Sequence, residues 1–465
     1  MRRRIARSLP VFSLVSAFAL GAAANTILGA QKPSAVRQIG ALERMTPDSF
    51  ALASVTTALA MPGGRVLIND GRGRRVLVFD STLARATVVA DTTSATVNAY
   101  GSSWATLIRY RGDTALLMVP STLSMFVIGP TGAIARVMAM PRPNDAQLLA
   151  GSWGVPGFDV RGRLVYFGGR GVLPGVTMLR RGMAFLEDGK PTEVARLLEQ
   201  NSEGMIRVGK QRAESSVVVR VDLDTRALDT AAWIRIPKFQ RELKVDANGL
   251  LTSLENTPDP LPLIDQWTVL GDGTLAIVRG RDYHVDWLDA SGHLSSSPKM
   301  PFDWQRVDDA RKQALIDSTV TEWQGVYDRV AAQRLAGAGR GVAGNGSATG
   351  GRGGGSGGTS AGRPGGPAEL APIIAVRPAL GDLPDYYPPF DEHAASADVD
   401  GNLWIRTTTI IDGRPVYDVV NRRGELFDRV QLPRYRTVAG FGPDVVFMGV
   451  TDAKGVVRLE RARIK

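Results

Sequence analysis

Short apolar runs of about six residues, separated by turns rich in Gly, Asp and Asn, recur along most of the chain, and this spacing predicts strands rather than helices. The pattern is clearest over residues 400–433, DGNLWIRTTTIIDGRPVYDVVNRRGELFDRVQLP. Asp400-Gly401 opens the aromatic and β-branched run Leu403–Thr409, Asp412-Gly413 leads into Val416–Asn421, and Arg423-Gly424 leads into Leu426–Leu432. Three strands joined by glycine-containing turns make an antiparallel meander, and Pro433, lacking an N–H, is tolerated where an edge strand ends.

Weaker copies of the unit precede and follow it. The first joins Arg65–Asp70 to Arg75–Asp80, and the second runs through Thr114–Val119, Ser124–Gly129 and Ala133–Pro141. The third begins with Phe158–Phe167, is interrupted over Gly168–Glu214, and resumes with strands at Ser215–Asp224 and Ala231–Pro237. Within the interruption, Pro191–Gln200 reads as a helical piece. The fourth copy is the most regular: Gln266–Leu270, Thr274–Gly280, Arg281–Asp289, then a strand ending at Met300-Pro301. The sixth comprises Arg436–Phe441, Asp444–Val450 and Gly455–Arg463. Outer strands of copies two to five all end in an apolar-Pro pair: Met140-Pro141, Ile236-Pro237, Met300-Pro301 and Leu432-Pro433.

Two segments leave the pattern. Over Asp303–Leu335 the period becomes helical, with Val307, Ala310, Ala314, Leu315, Val320, Trp323, Tyr327 and Val330 on one face. Residues 337–366 then hold fifteen glycines in thirty positions, a composition that buries too little surface to offset backbone entropy and predicts a disordered linker.

A single meander cannot bury both of its faces, so the copies must stack on one another. Six of them around an axis make an all-β fold, a six-bladed β-propeller with a helical and Gly-rich insertion. The last copy lacks a fourth strand, and Ala35–Arg44 is a spare strand at the other terminus, so pairing the two closes the ring. The expected organisation is a leader at 1–30, blades one to four over 31–302, the helical insertion at 303–335, the linker at 336–368, and blades five and six over 369–465. The phrases GDGTLAIVRGRDYHVDWLD and DVDGNLWIRT…YDVVNRRGEL resemble exported bacterial six-bladed propellers of the NHL-repeat-like or TolB-like kind. That resemblance spans nearly all of residues 35–465 outside the insertions. It implies a fold shared by lactonases, lyases and pure binding modules. The gluconolactonase type also implies a Glu/Asp/Asn metal cage at the axis, and no residue-by-residue match to such a cage is visible here.

Composition adds an address. Arg2, Arg3, Arg4 and Arg7 precede the short apolar core Val11–Leu20, with small residues offering cleavage after Ala24 or Ala30. This reads as a secretory signal peptide rather than an anchor, because about 14 apolar residues fall short of the ~20 that span a bilayer. The expected location is periplasmic or secreted, with no integral membrane segment after cleavage. Cysteine is absent, which excludes disulfides, thiolate metal sites and cysteine nucleophiles. Losing the four leader arginines, with no acids, lowers the net charge from +10 to +6. The basic residues are scattered, so no nucleic-acid partner is expected, and the protein reads as a monomer.

Candidate chemistry is sparse. There are three histidines, and no Gly-x-Ser-x-Gly elbow, His-Glu-x-x-His pair or EF-hand loop. Asp282-x-His284-x-Asp286 places two carboxylates and an imidazole on one strand face, in a third strand where satisfied polar positions are the expectation. Ligand contact is expected instead from the starts of inner strands: Trp153, Asp159, Gln266 and Asp398, and above all Asp265, Trp267, Tyr386, Tyr387, Asp391, Glu392 and His393. The segment LPDYYPPFDEH (383–393) sets two tyrosines among three prolines beside an acidic-His cluster, a rigid aromatic platform suited to a small molecule, sugar or peptide. The sequence therefore predicts an exported binding module with its ligand at the axial mouth. A metal-assisted, lactonase-like hydrolase or lyase using axial carboxylates is the alternative. No catalytic residue, metal ligand or cofactor is assigned.

Overall fold

Val66–Asp70 and Ala115–Val119 are buried at every position. Such strands have protein on both faces, which is why they read as continuous apolar runs instead of alternating ones. The computed structural model describes residues 34–93, 100, 105–150, 153–169, 209–245, 251–289, 291–340 and 372–465. The expected leader at 1–30, the helical piece at 191–200 and all of the linker beyond residue 340 lie outside them.

The described residues form six sheets, and the architecture is an all-β, propeller-type one. The first sheet takes Thr57–Ala60, Val66–Asp70, Arg75–Phe79 and Ala86–Ala90 in order, and the second takes Thr106–Arg109, Ala115–Val119, Ser124–Ile128 and Ile134–Ala139. The fourth takes Asp265–Val269, Leu275–Arg279, His284–Leu288 and Leu294–Ser296. The fifth is built from Phe390–Ala397, Leu403–Ile411, Arg414–Val420 and Leu426–Gln431, and the sixth from Arg436–Gly442, Val445–Thr451 and Val457–Arg463.

Alternate residues of one strand serve two different neighbours. Leu67 packs with Leu107, Leu117 and Phe126 of the second sheet, while Val66 and Ile68 pack with Phe447 and Leu459 of the sixth. Leu116 and Met118 reach Tyr166 and Val219 of the third sheet, and Phe167 and Val218 reach Trp267 and Ile277 of the fourth. Val278 and Val285 meet Phe390 and Ile405 of the fifth, and Trp404 and Tyr417 meet Phe441 and Met448 of the sixth. The packing is thus cyclic. A buried polar link reinforces one junction: Tyr283 Oη of the fourth sheet donates to Asp418 Oδ2 of the fifth at 2.6 Å, and Arg429 Nε donates to Asp418 Oδ1 at 2.9 Å.

Several of the turns between neighbouring strands repeat one device. An Asp or Asn oxygen accepts the N–H groups two and four residues on, and the residue between takes positive φ. Asp398 does so with Asp400 and Asn402 around Gly401 (φ 81°), and Asp289 with Ser291 and His293 around Gly292 (φ 88°). Left-handed backbone explains the Gly in these turns, although Leu83 (φ 61°) fills the same place after Asp80.

The structure departs from expectation in four places. The single N-terminal strand expected at Ala35–Arg44 is two strands on different sheets. Val36–Gln38 runs parallel to Leu426–Gln431 of the fifth sheet, and Leu42–Met45 runs antiparallel to Val457–Arg463 of the sixth. The third sheet is larger than read, with Gly157–Phe158, Leu164–Phe167, Gly209–Val221, Leu228–Val245 and Leu251–Thr257, plus Ile373–Ala375 in parallel at its edge. Pro237 therefore does not end a strand. It sits where the register shifts between Arg235↔Ser215 and Phe239↔Ala213, and a bulge accommodates its missing N–H.

The helix, α1 (Asp309–Arg340), begins after Val307 and is capped by Asp308, whose Oδ1 accepts the Arg311 N–H at 2.7 Å. Ala310 and Ala314 are exposed, while Lys312, Leu315, Ile316 and Val320 face the protein. The helical phase differs from the expected face because Val307 precedes the helix, just after the Arg306–Tyr386 bridge, and because the buried position one turn into the helix is a lysine. Lys312 Nζ donates to Asp385 Oδ1 (2.7 Å) and to the Leu383 carbonyl (3.3 Å), which makes its burial tolerable. Ile316 and Val307 close a small core with Leu261 and Leu383.

Removing residues 31–45 takes an outer strand from the sixth sheet, a parallel strand from the fifth and the Arg37–Asp428 ion pair (2.6 Å). The truncated chain is expected to melt at least about 5 °C lower, since ~1 kcal/mol shifts a large domain by about 2–4 °C. An unchanged melting temperature in calorimetry would show these strands to be dispensable.

Candidate functional site

Segment 383–393 is pinned along its length. The Val307 N–H donates to the Asp385 carbonyl at 2.8 Å, the Tyr387 N–H donates to the Gln305 carbonyl at 3.0 Å, and Arg311 Nε donates to Tyr387 Oη at 2.8 Å. Thr408 binds Pro388 and Pro389 through its hydroxyl and its N–H. Tyr387 is thereby half-buried and engaged, whereas Tyr386 is 46% exposed with its ring edge-on to Trp304 at 6.5 Å. The two tyrosines do not form one shared platform.

The acidic-His cluster owes its position to an interruption of the ladder. Phe390 pairs with Thr407 and Ala395 with Ile405, so Asp391–Ala394 oppose Arg406 alone and bulge out of the strand. Asp391, Glu392 and His393 are all exposed. His393 holds a left-handed backbone (φ 58°), and its N–H donates to Gln266 Oε1 of the fourth sheet's inner strand at 2.9 Å. Although the residue is exposed, protein around the Glu392 carboxyl holds it above the ordinary carboxylate range. The nearby imidazole of His393 opposes that shift and Asp391 adds to it.

Other expected contributors are structural. Trp267 is wholly buried between the third and fourth sheets, with Gly154 so close that a Cβ there would lie 2.4 Å from the indole. It is core, not ligand surface. Trp153 packs against the same core. Asp159 and Asp398 are buried acceptors of turn N–H groups. Gln266 is spent on His393 and on its neighbour's carbonyl. Asp265 is consumed by Arg279 Nη1 (2.7 Å) and by the N–H groups of Arg235 (2.9 Å) and Gly280 (3.2 Å).

The Asp282-x-His284-x-Asp286 face lies in an open cleft of about 310 Å³ between the third and fourth sheets. His284 Nδ1 is 2.8 Å from Asp282 Oδ1, and Nε2 is 3.2 Å from Asp286 Oδ1. Arg279 stands directly across the hairpin from His284, and its Nε donates to Asp286 Oδ2 at 2.7 Å. Ser296 Oγ donates to Asp286 Oδ1 at 2.5 Å. The hydrogen bond to Asp286 raises the His284 pKa, burial opposes it, and Asp282 adds to the rise. Burial alone would raise Asp286, but the donors His284, Ser296 and Arg279 prevail and hold it well below the carboxylate range. Sequence reasoning weighed the three residues alone and missed Arg279, Arg281, Trp233 and Arg235. The first was findable, because a Gly280–Tyr283 turn places Arg279 opposite His284.

Among the described residues, no three His, Asp or Glu side chains converge as a metal-ligand set. No helix there is long and apolar enough to cross a membrane.

No family model and no curated relative matches the chain. Similar solved structures include virginiamycin B lyase from Staphylococcus aureus, at 9% identity and a TM-score of 0.35 over 89% of this chain and 98% of that one. Others are the calcium-binding protein regucalcin from Agrobacterium tumefaciens (10%, TM-score 0.36, 92% and 98%) and the PQQ-bound aldose sugar dehydrogenase from Streptomyces coelicolor (10%, TM-score 0.36, 94% and 100%). Scores and identities this low carry no argument about activity.

The shifts in the cleft set a pH dependence. With its folded pKa raised, His284 contributes stability fully below its unfolded value of about 6.5 and loses it as pH rises through the folded value. Asp286 is depressed, so its contribution holds above an unfolded value of about 3.9 and is lost only as pH falls toward the folded one. The melting-temperature advantage of the native chain over His284→Gln is therefore expected to shrink as pH rises above about 6.5. An advantage that stayed constant or grew would refute the ion-paired state of His284.

Proposed function

We propose that the chain is an exported six-bladed β-propeller that binds a small-molecule, sugar or peptide ligand at its axial mouth, without chemical turnover. The six sheets are its blades, and Leu42–Met45 is the strand that closes the last one. The Asp391–Ala394 bulge is the observation that carries the binding reading. It turns two carboxylates and an imidazole outward at the head of an inner strand, on a segment already fixed by α1 and three prolines. Such preorganisation lowers the ordering cost of binding.

Each residue has a separate part in this reading. Tyr386 offers an exposed ring face. Glu392, whose proton affinity burial raises, and Asp391 beside it offer two exposed carboxyl groups. His393 contributes a ring nitrogen from a backbone position held by Gln266. The metal-assisted hydrolase or lyase remains the alternative. It requires axial carboxylates to converge on an ion, which the described side chains do not do.

Glu392→Gln combined with His393→Asn is the discriminating variant, because Asn tolerates left-handed backbone and keeps the local fold. In a screen of oligosaccharides and peptides by thermal shift, ligands that raise the melting temperature of the native chain should lose at least about tenfold in affinity for the variant and for Tyr386→Ala. Undiminished binding by folded variants would remove the mouth from consideration. Stoichiometric divalent metal in the purified native protein would favour the hydrolase or lyase.

A further inference from the structure

The cleft between the third and fourth sheets shares no lining residue with Tyr386 or the Asp391–His393 bulge. Its floor is electrostatically closed. Arg279 is divided between Asp265 and Asp286, while Asp282 is held by His284 and by Lys299 Nζ at 3.5 Å. No carboxylate on that floor is left to attract a cation. The walls differ. Arg235 and Arg281 are exposed, and neither guanidinium makes a hydrogen bond or ion pair among the described residues. Three carboxylates thus face four fixed cations, Arg235, Arg279, Arg281 and Lys299, besides the imidazole.

The third wall is Trp233, 60% exposed although it is a large apolar ring. Its backbone is held, since the Trp233 carbonyl accepts Arg279 Nη1 at 2.9 Å and the Arg235 N–H donates to Asp265 Oδ2 at 2.9 Å. Trp233 and Arg235, two apart on one strand, project to the same side. An indole face beside two free planar guanidiniums suits a flat ring that carries an oxyanion, the ring against Trp233 and the anion received by the arginines. The volume of about 310 Å³ is that of a small-ligand site.

We propose that this seam binds an oxyanion borne on a flat-faced ring, of the sugar-acid or sugar-phosphate class. Calorimetric titration of the intact mature chain at low salt, with glucuronate, glucose 6-phosphate, glucose and inorganic phosphate, tests it. One or both ring anions should bind, identifying carboxylate or phosphate as the preferred head, while glucose and inorganic phosphate bind at least about tenfold more weakly. Arg235→Ala/Arg281→Ala should lower affinity for the ring anions at least about tenfold, and Trp233→Ala should do the same while leaving inorganic phosphate unaffected. These side chains are exposed, so the variants should melt with the native chain. Glu392→Gln/His393→Asn should bind the ring anions as the native chain does, which separates this site from the mouth. Failure of both ring anions to bind, equal binding of glucose, or indifference to the arginine pair would overturn the proposal. Inorganic phosphate binding as tightly as glucose 6-phosphate would reduce the site to a simple ion contact and overturn it equally.

Discussion

Burial of both faces of every central strand is the constraint from which the rest of the structure follows. A strand such as Leu164–Phe167 sends Leu164 and Tyr166 to one neighbouring sheet and Val165 and Phe167 to the other. No sheet can therefore be stable alone, and none can end the series without exposing an apolar face. A ring satisfies that condition without a cap. The same condition fixes register strongly, because a slip of one residue would exchange the side chains meant for two different neighbours. It also explains why the two ends of the chain come together, with Leu42–Met45 and Val36–Gln38 lying on the last two sheets.

This constraint is also why the sheets were legible in the sequence. Continuous apolar runs and Asp/Asn–Gly turns follow directly from two-sided burial and positive φ, and most strands fall within a residue or two of where the pattern places them. Misreadings cluster where another force overrides local pattern. The N-terminal segment carries the pattern of one strand, although Gly40 lies where a Cβ would come within 2.7 Å of the Arg463 carbonyl, and the chain there passes from one sheet to the next. Pro237 has the sequence mark of a terminator because a bulge that rescues a proline leaves no local sign. Lys312 hid the phase of α1, since its burial depends on an acceptor 73 residues away in sequence.

The candidate sites were less legible for a related reason. An inner-strand start can be recognised from sequence, but whether its side chains face ligand or core depends on the neighbouring sheet. Trp267 and Glu392 occupy comparable places, and one is wholly buried while the other is pushed outward by a bulge. The Asp282–His284–Asp286 face was visible as spacing. Its significance depends on Trp233 and Arg235 from a different sheet, which no local motif announces.

Both proposed sites nevertheless share a location that the meander itself imposes. In a four-stranded antiparallel unit, the start of the first strand, the end of the second, the start of the third and the end of the fourth meet at one edge. In the first, third, fourth and fifth sheets the opposite edge carries Asp/Asn turns, whose backbone hydrogen bonds tolerate little change. Asp265, Arg279 and His284 lie on the open edge of the fourth sheet, and Asp391–His393 on that of the fifth. The helical insertion, between the fourth and fifth sheets, enters there as well. Side chains and whole segments can vary on that edge without disturbing the interdigitated middle of the strands, where the stability lies. The proposed binding chemistry lies there because it is the part of the ring that packing leaves unspecified.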